Sequence, residues 1–139
     1  MGSYKHIEHL IGDYIAHHYA RAIEVGIGRN SRAAEMLAHE GVLLRCTDVK
    51  DLAYPPDLHF VRDDIFDPAF SIYEGADVIF AIRPAIEMIP ALVTIASHGT
   101  CDLLVYHLGF EIYENGGEKI DCGVILHRYV KGSEPVKKG

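Results

Sequence analysis

Apolar positions along the chain follow two rhythms, a helical one of about 3.6 residues and short continuous runs, and their alternation predicts the elements. Over residues 4–19, Ile7, Leu10, Ile11, Tyr14 and His18 share one stripe, which predicts an amphipathic helix. A short strand over 21–25 follows and runs into the turn "VGIGRN". "RAAEMLAHE" predicts a second helix, stopped by Gly41 and capped by a side-chain oxygen of Asn30 or Ser31. "VLLRCTD" predicts a buried strand, "DLAYPPDL" a loop because of its two prolines, and "HFVRDD" a short strand. "DPAFSIYEG" predicts a brief helix with Asp67 as cap and Pro68 at its first position. "DVIFAI" is the plainest buried strand. Beyond it, Pro90 divides the apolar segment into a single turn at 85–88 and a main helix from about 89 to His98-Gly99. "CDLLVYHL" is a further buried strand, and "EKIDCGVILHRYV" (118–130) predicts an antiparallel hairpin turning near Cys122-Gly123.

Five apolar strands interleaved with helices imply an α/β fold, a doubly wound, mostly parallel sheet covered on both faces, here closed by a C-terminal antiparallel hairpin. With 139 residues, one Rossmann-like domain over 1–131 is expected, its N-terminal helix within 1–19, and 132–139 as a flexible tail. Ligands of such sheets bind beyond the carboxyl ends of the strands. That places the candidate positions at 24–30, Asp48, Asp63-Asp64 and Arg83-Pro84.

Composition narrows the classes. Hydrophobic residues make up 49% and charged ones 24%, the profile of a soluble globular protein. No apolar run approaches a membrane span, and "MGSYKHIEHL" lacks the apolar core of a signal peptide, so a cytoplasmic protein is expected. The net charge of −7 argues against a nucleic-acid surface. Cys46, Cys101 and Cys122 form no CxxC pair and are expected as free thiols. A homo-oligomer is left open.

The chemistry gathers at the first turn. Gly26 permits a sharp bend, and Gly28 lets backbone approach a ligand that faces the next helix N-terminus. A dinucleotide fingerprint needs a third glycine where this chain has Ser31. Asp48, twenty residues beyond Gly28, suits ribose hydroxyls of NAD and of other adenosyl ligands alike. Glu24 would repel a pyrophosphate and attract an amino group and a sulfonium. Acids at three strand ends, Glu24, Asp48 and Asp64, therefore favour a cationic adenosyl ligand, S-adenosylmethionine (SAM).

"IEVGIGRN", "CTDV" and "VRDDIFDP" resemble the first three motifs of class I SAM-dependent methyltransferases. The set "EVGIGR", "TD", "VRDDI" and "IRPAIE" in so short a chain resembles, over residues 20–130, a small archaeal protein family of unknown function with a methyltransferase-like Rossmann core. The resemblance implies the sheet order 3-2-1-4-5-7-6. It also implies that Glu24, Gly26 and Gly28, with Asn30 beside them, hold the methionine end, Asp48 the ribose, and Asp64 with Ile65 the adenine. The Asp/Asn-Pro-Pro-aromatic motif of amino-directed methyltransferases is replaced by "RPAI", so no methyl acceptor and no catalytic residue is assigned. An NAD(P)-binding Rossmann protein and a non-catalytic interaction module are the alternatives.

Arg83 is a candidate for an anionic substrate or for an ion pair with Asp63, Asp64 or Glu87. His107 closes the fifth strand and is a candidate base or substrate contact. His6, His9, Asp13 and His17 fall within about 80° of one another on an ideal helix, but that face flanks the apolar stripe and no metal is expected there.

Overall fold

The computed structural model describes residues 4–132; of the expected tail, residues 133–139 lie outside the described residues. Helix α1 (Tyr4–His18) leads into strand β1 (Ala22–Val25), helix α2 (Arg32–His39) and strand β2 (Leu43–Asp48). Strands β3 (Phe60–Arg62) and β4 (Val78–Ile82) follow, each preceded by a 3-10 turn rather than an α-helix, at Pro56–Leu58 and Phe70–Tyr73. A further 3-10 turn, Ile86–Met88, runs into helix α3 (Ile89–Gly99), then strand β5 (Asp102–Tyr106) and the hairpin β6 (Glu118–Asp121) and β7 (Ile125–Val130). Pro90 stands in the first turn of α3, where its missing N–H costs nothing.

Strands β1 to β5 pair in parallel, and β7 lies antiparallel between β5 and β6. The sheet runs β3-β2-β1-β4-β5-β7-β6. Successive side chains of a strand point to opposite faces, and the two cores divide accordingly. Ala22, Cys46, Val78, Phe80 and Leu104 meet Ile11 and Ile15 of α1 and Ala33 and Leu37 of α2 on one face. Ile23, Val25, Ile79, Ala81, Leu103 and Val105 meet Ile89, Leu92 and Ile95 of α3 on the other. Burial on both faces is why these strands are almost wholly apolar. The three cysteines are free.

Two expected caps differ. Ser31 precedes α2, yet its hydroxyl donates to Glu35 Oε2 at 2.6 Å and caps nothing. Asn30 is exposed and gives α2 no side-chain cap either. Ala33 N–H instead donates to Glu8 Oε1 at 3.0 Å, a carboxylate delivered by α1. Likewise Asp67 does not open a helix: Ala69 N–H, at the start of the second 3-10 turn, donates to Asp63 Oδ1 at 3.1 Å. In both places another carboxylate takes the amide: buried Glu8, twenty-five residues away on α1, and part-buried Asp63, held by Tyr73 O–H.

The hairpin is fastened by Asp102. Its Oδ2 accepts from Tyr19 O–H at 2.6 Å and from Arg128 Nη1 at 3.2 Å, and Oδ1 accepts from Gly132 N–H at 2.7 Å. Residue 132, expected as the first of the tail, is thus held to the sheet. Asp102→Ala leaves the Tyr19 hydroxyl and the Gly132 N–H without their acceptor and Arg128 with Glu118 alone, and is expected to cost about 2–3 kcal/mol. A urea midpoint shift at unchanged slope checks this; a loss within experimental error would mean that the hairpin is held by the strand ladder alone.

Candidate functional site

Leaving β1, the chain turns through Gly26 (φ +72°) and Gly28 (φ +56°), left-handed conformations that cost other residues about 1–2 kcal/mol each. The freed backbone donors are all engaged. Gly26 and Ile27 N–H donate to Thr47 O at 2.8 and 3.2 Å, and Gly28 N–H donates to Asp48 Oδ2 at 2.9 Å. Asp48 Oδ1 accepts from Lys50 N–H at 3.1 Å, and Tyr54 O–H donates to Gly28 O at 2.6 Å. The turn is therefore stitched to the end of β2. A carboxylate has about four acceptor positions, so Asp48 keeps capacity for a ligand.

In front of this turn lies a cavity of about 280 Å³ between the ends of β1, β2, β3 and β4. Gly26, Thr47 and Asp48 form one side, Val49 and Ile65 another, and Pro84, Ala85 and Met88 the wall facing α3. A Cβ on Gly26 would come within 3.9 Å of Met88 Cε, so a larger side chain there would narrow the cavity. Of the residues singled out in the sequence, Gly26, Asp48, Asp63, Ile65, Arg83 and Pro84 line it. Asp64 does not: it is exposed, and its Oδ1 accepts from Phe66 N–H at 2.9 Å. Asp63 takes its place in the lining, with its carboxylate held by Tyr73 O–H at 2.6 Å. Asn30 is exposed beside Arg29 and Arg32, over a separate depression at the start of α2. His107 lines another cavity altogether, between the end of β5 and the start of β7.

Glu24 stands behind the turn rather than in the cavity. Alternation along β1 turns it toward the α1 and α2 face, where it is 1% exposed and its Oε1 has no hydrogen-bond partner. Burial, and then the charges of Glu8 and Asp48, raise its carboxyl well above the ordinary carboxylate range. Glu8, also 1% exposed, is likewise raised by burial, opposed by the Ala33 N–H and the charge of Arg83. Sequence reasoning missed Glu8. Its signal was an acid on the apolar stripe of α1, three residues before Ile11 and seven before Ile15. Arg83 has φ +58°, its N–H donates to Tyr106 O at 2.7 Å, and its guanidinium lies 5.3 Å from the Tyr106 ring centre. Cys46 is fully buried, with its thiol pushed up to about 12 by burial, so it serves the core and not as a nucleophile. On α1, His17 Nδ1 bonds the carbonyl of Asp13 at 2.8 Å, an interaction within the helix.

A carboxyl raised in the folded state binds a proton that the unfolded chain releases. Its stabilising contribution is full below the unfolded value and is lost as pH climbs through the folded one. Glu24→Gln removes that loss. The variant is expected to unfold at a higher temperature than the parent, by a margin that widens from pH 4.5 toward pH 8. A pH series of thermal melts checks this; a margin that shrinks with rising pH would show Glu24 to be ionised and satisfied in the fold.

No helix among the described residues is long and apolar enough to cross a membrane. Residues 8–120, which contain the glycine turn, Asp48 and Arg83, match the family described as "Uncharacterised protein family (UPF0146)". Archaeal relatives carry the same description. One from Archaeoglobus fulgidus is 40% identical over 96 residues, covering 68% of this chain and 74% of the relative. One from Halobacterium salinarum is 38% identical over 78 residues, 56% of this chain and 60% of the relative. One from Pyrococcus horikoshii is 29% identical over 114 residues, 78% of this chain and 87% of the relative. The matched span covers most of the described fold, and the chain belongs to the UPF0146 family.

Proposed function

We propose that the strand-end cavity binds an adenosyl ligand, SAM before NAD, and that the chain is a methyltransferase-like protein built on a Rossmann core. One observation carries the choice of ligand. A pyrophosphate would be expected at the N-terminus of α2, where unpaired N–H groups gather. Those donors already hold an anion, the Glu8 carboxylate, with Ala33 N–H at 3.0 Å and the Arg32 backbone beside it. A dinucleotide would have to displace that buried carboxylate and bring two phosphate charges toward Glu8 and Asp48. A sulfonium amino acid meets no such opposition.

The cavity residues fit the group. Asp48 retains acceptor positions for ribose hydroxyls, and Val49 and Ile65 offer apolar walls to a flat ring. Gly26 and Gly28 keep the turn free of side chains. Behind it the Glu24 carboxyl, with an unpartnered buried oxygen, can ionise when a cation settles nearby. SAM supplies a methyl group activated by a sulfonium. Arg83 and Pro84 stand where amino-directed enzymes carry their carbonyl acceptors, so the acceptor is not an amine held in that way. The strand order β3-β2-β1-β4-β5-β7-β6 supports the same reading.

Isothermal titration with SAM, S-adenosylhomocysteine and NAD tests it. Heat is expected with the first two and none with NAD. SAM binding should release protons, seen as a dependence of the heat on buffer ionisation enthalpy. Gly26→Val, whose side chain enters the cavity toward Met88, is expected to abolish the heat while costing about 1–2 kcal/mol of stability. Tight NAD binding without SAM binding would reverse the choice of ligand; silence with all three would leave a fold without this chemistry.

A further inference from the structure

A second cavity, of about 420 Å³, opens between the end of β5 and the start of β7 and shares no lining residue with the first. Tyr106, His107 and His127 form its inner part, and Phe110, Ile112 and Ile125 its mouth. The last three are large apolar side chains left exposed, Phe110 completely.

Its two histidines have assignable protons. Tyr129 Oη accepts from Tyr113 N–H at 3.0 Å and lies 2.7 Å from His107 Nε2. The Tyr129 hydroxyl proton needs an acceptor, and among the described residues His107 Nε2 is the one in reach. With Nε2 as that acceptor, the neutral ring carries its proton on Nδ1. Burial, and then the charge of His127, lower the His107 pKa, in keeping with a neutral ring. His107 is 5% exposed and its Nδ1 has no partner. A buried unmade donor is costly and calls for an explanation. His127 is the mirror case: its Nδ1 lies 2.7 Å from Gly116 O, which can only accept, so in the neutral ring Nε2 is the acceptor. Lys119 and Glu111 at the rim carry opposite charges, so the mouth selects no ionic ligand.

We propose that this cavity binds a compact, largely apolar ligand with an amide-like edge, its oxygen accepting from His107 Nδ1 and its N–H donating to His127 Nε2. It is independent of what the first cavity takes.

The experiment uses the full chain labelled with ¹⁵N and three probes of similar size: benzamide, acetophenone without the donor, and ethylbenzene without donor or acceptor. Ring ¹⁵N spectra of the free protein are expected to show His107 protonated at Nδ1 and bare at Nε2. Benzamide should shift that Nδ1 signal and the signals of Ile125. Acetophenone should bind about tenfold more weakly, and ethylbenzene about tenfold more weakly again. In His107→Phe the preference for benzamide over ethylbenzene should fall about tenfold, with the Ile125 signals still responding to the hydrocarbon. A proton on His107 Nε2, equal affinity for benzamide and ethylbenzene, or no response at millimolar probe would overturn the proposal. If the variant does not fold, the tautomer and the probe ranking in the parent protein decide it.

Discussion

Leaving β1, the chain must find acceptors for the backbone N–H groups of Gly26, Ile27 and Gly28, which have left the strand ladder, and the candidate site is built around the acceptors it finds. The turn bends through two left-handed glycines, so its amides point back toward β2 and not along a ladder. Thr47 O takes two of them and the Asp48 carboxylate a third. The amide of Ala33, one turn later, is taken by Glu8 from α1. The glycine turn is therefore bonded to the end of β2, and the start of the second helix to the first. Orphaned buried amides are costly enough that native folds seldom leave any. Here the solution uses two carboxylates that chain proximity would not have brought together.

That explains what was legible beforehand. Strands such as "DVIFAI" announce themselves because burial on both faces makes them apolar throughout, and Pro90 marks its boundary because its ring admits few conformations. The antiparallel hairpin at 118–130 followed from the lack of any helical stretch between its halves. The caps were misread for the opposite reason. Ser31 and Asp67 sit at the expected local positions, but a hydrogen bond depends on three-dimensional placement, and buried Glu8 and part-buried Asp63 take the amides instead. At the site, Gly26, Asp48 and Ile65 are strand-end residues and their place follows from topology. Asp64 was preferred over Asp63, whereas the bend after β3 puts Asp63 at the cavity and Asp64 in solvent. His107 could be placed at a strand end, but its partner Tyr129 comes from the hairpin, twenty-two residues on.

The acids themselves acquire a different meaning in three dimensions. From sequence, Glu24 is a negative charge near a ligand. In the fold it is a buried carboxyl beside two others, and the cost of ionising it is the property that matters. The proposed preference for a cation then takes a different form. A nearby positive charge lowers the cost of losing the proton, while an anion raises it. Discrimination between a sulfonium and a pyrophosphate then no longer requires contact with Glu24, because the low polarisability of its surroundings lets the field act across the turn. Glu8 reinforces this from the helix side by filling the one place where an incoming phosphate would find free amides.

Arg83 joins the two cavities into one working edge. It ends β4 in a left-handed conformation that a non-glycine residue adopts only when its surroundings enforce it. The enforcement is visible: its N–H is held by Tyr106 O, and its guanidinium lies over the Tyr106 ring. Arg83 lines the first cavity and Tyr106 lines the second, so the strained residue is the partition between them. The large apolar side chains left exposed support the same picture. Val49, Leu52 and Phe66 follow β2 and β3, while Leu108, Phe110, Ile112 and Ile125 surround the end of β5 and the start of β7. These are seven of the eight such residues among the described ones, six in loops on the carboxyl side of the parallel strands and Ile125 at the start of β7; the eighth, Phe70, lies before β4 and stacks on His98. A chain this short has little apolar surface to spare, and leaving it on the edge that carries both cavities, with backbone strain at the wall between them, is intelligible when that edge is where molecules are meant to sit.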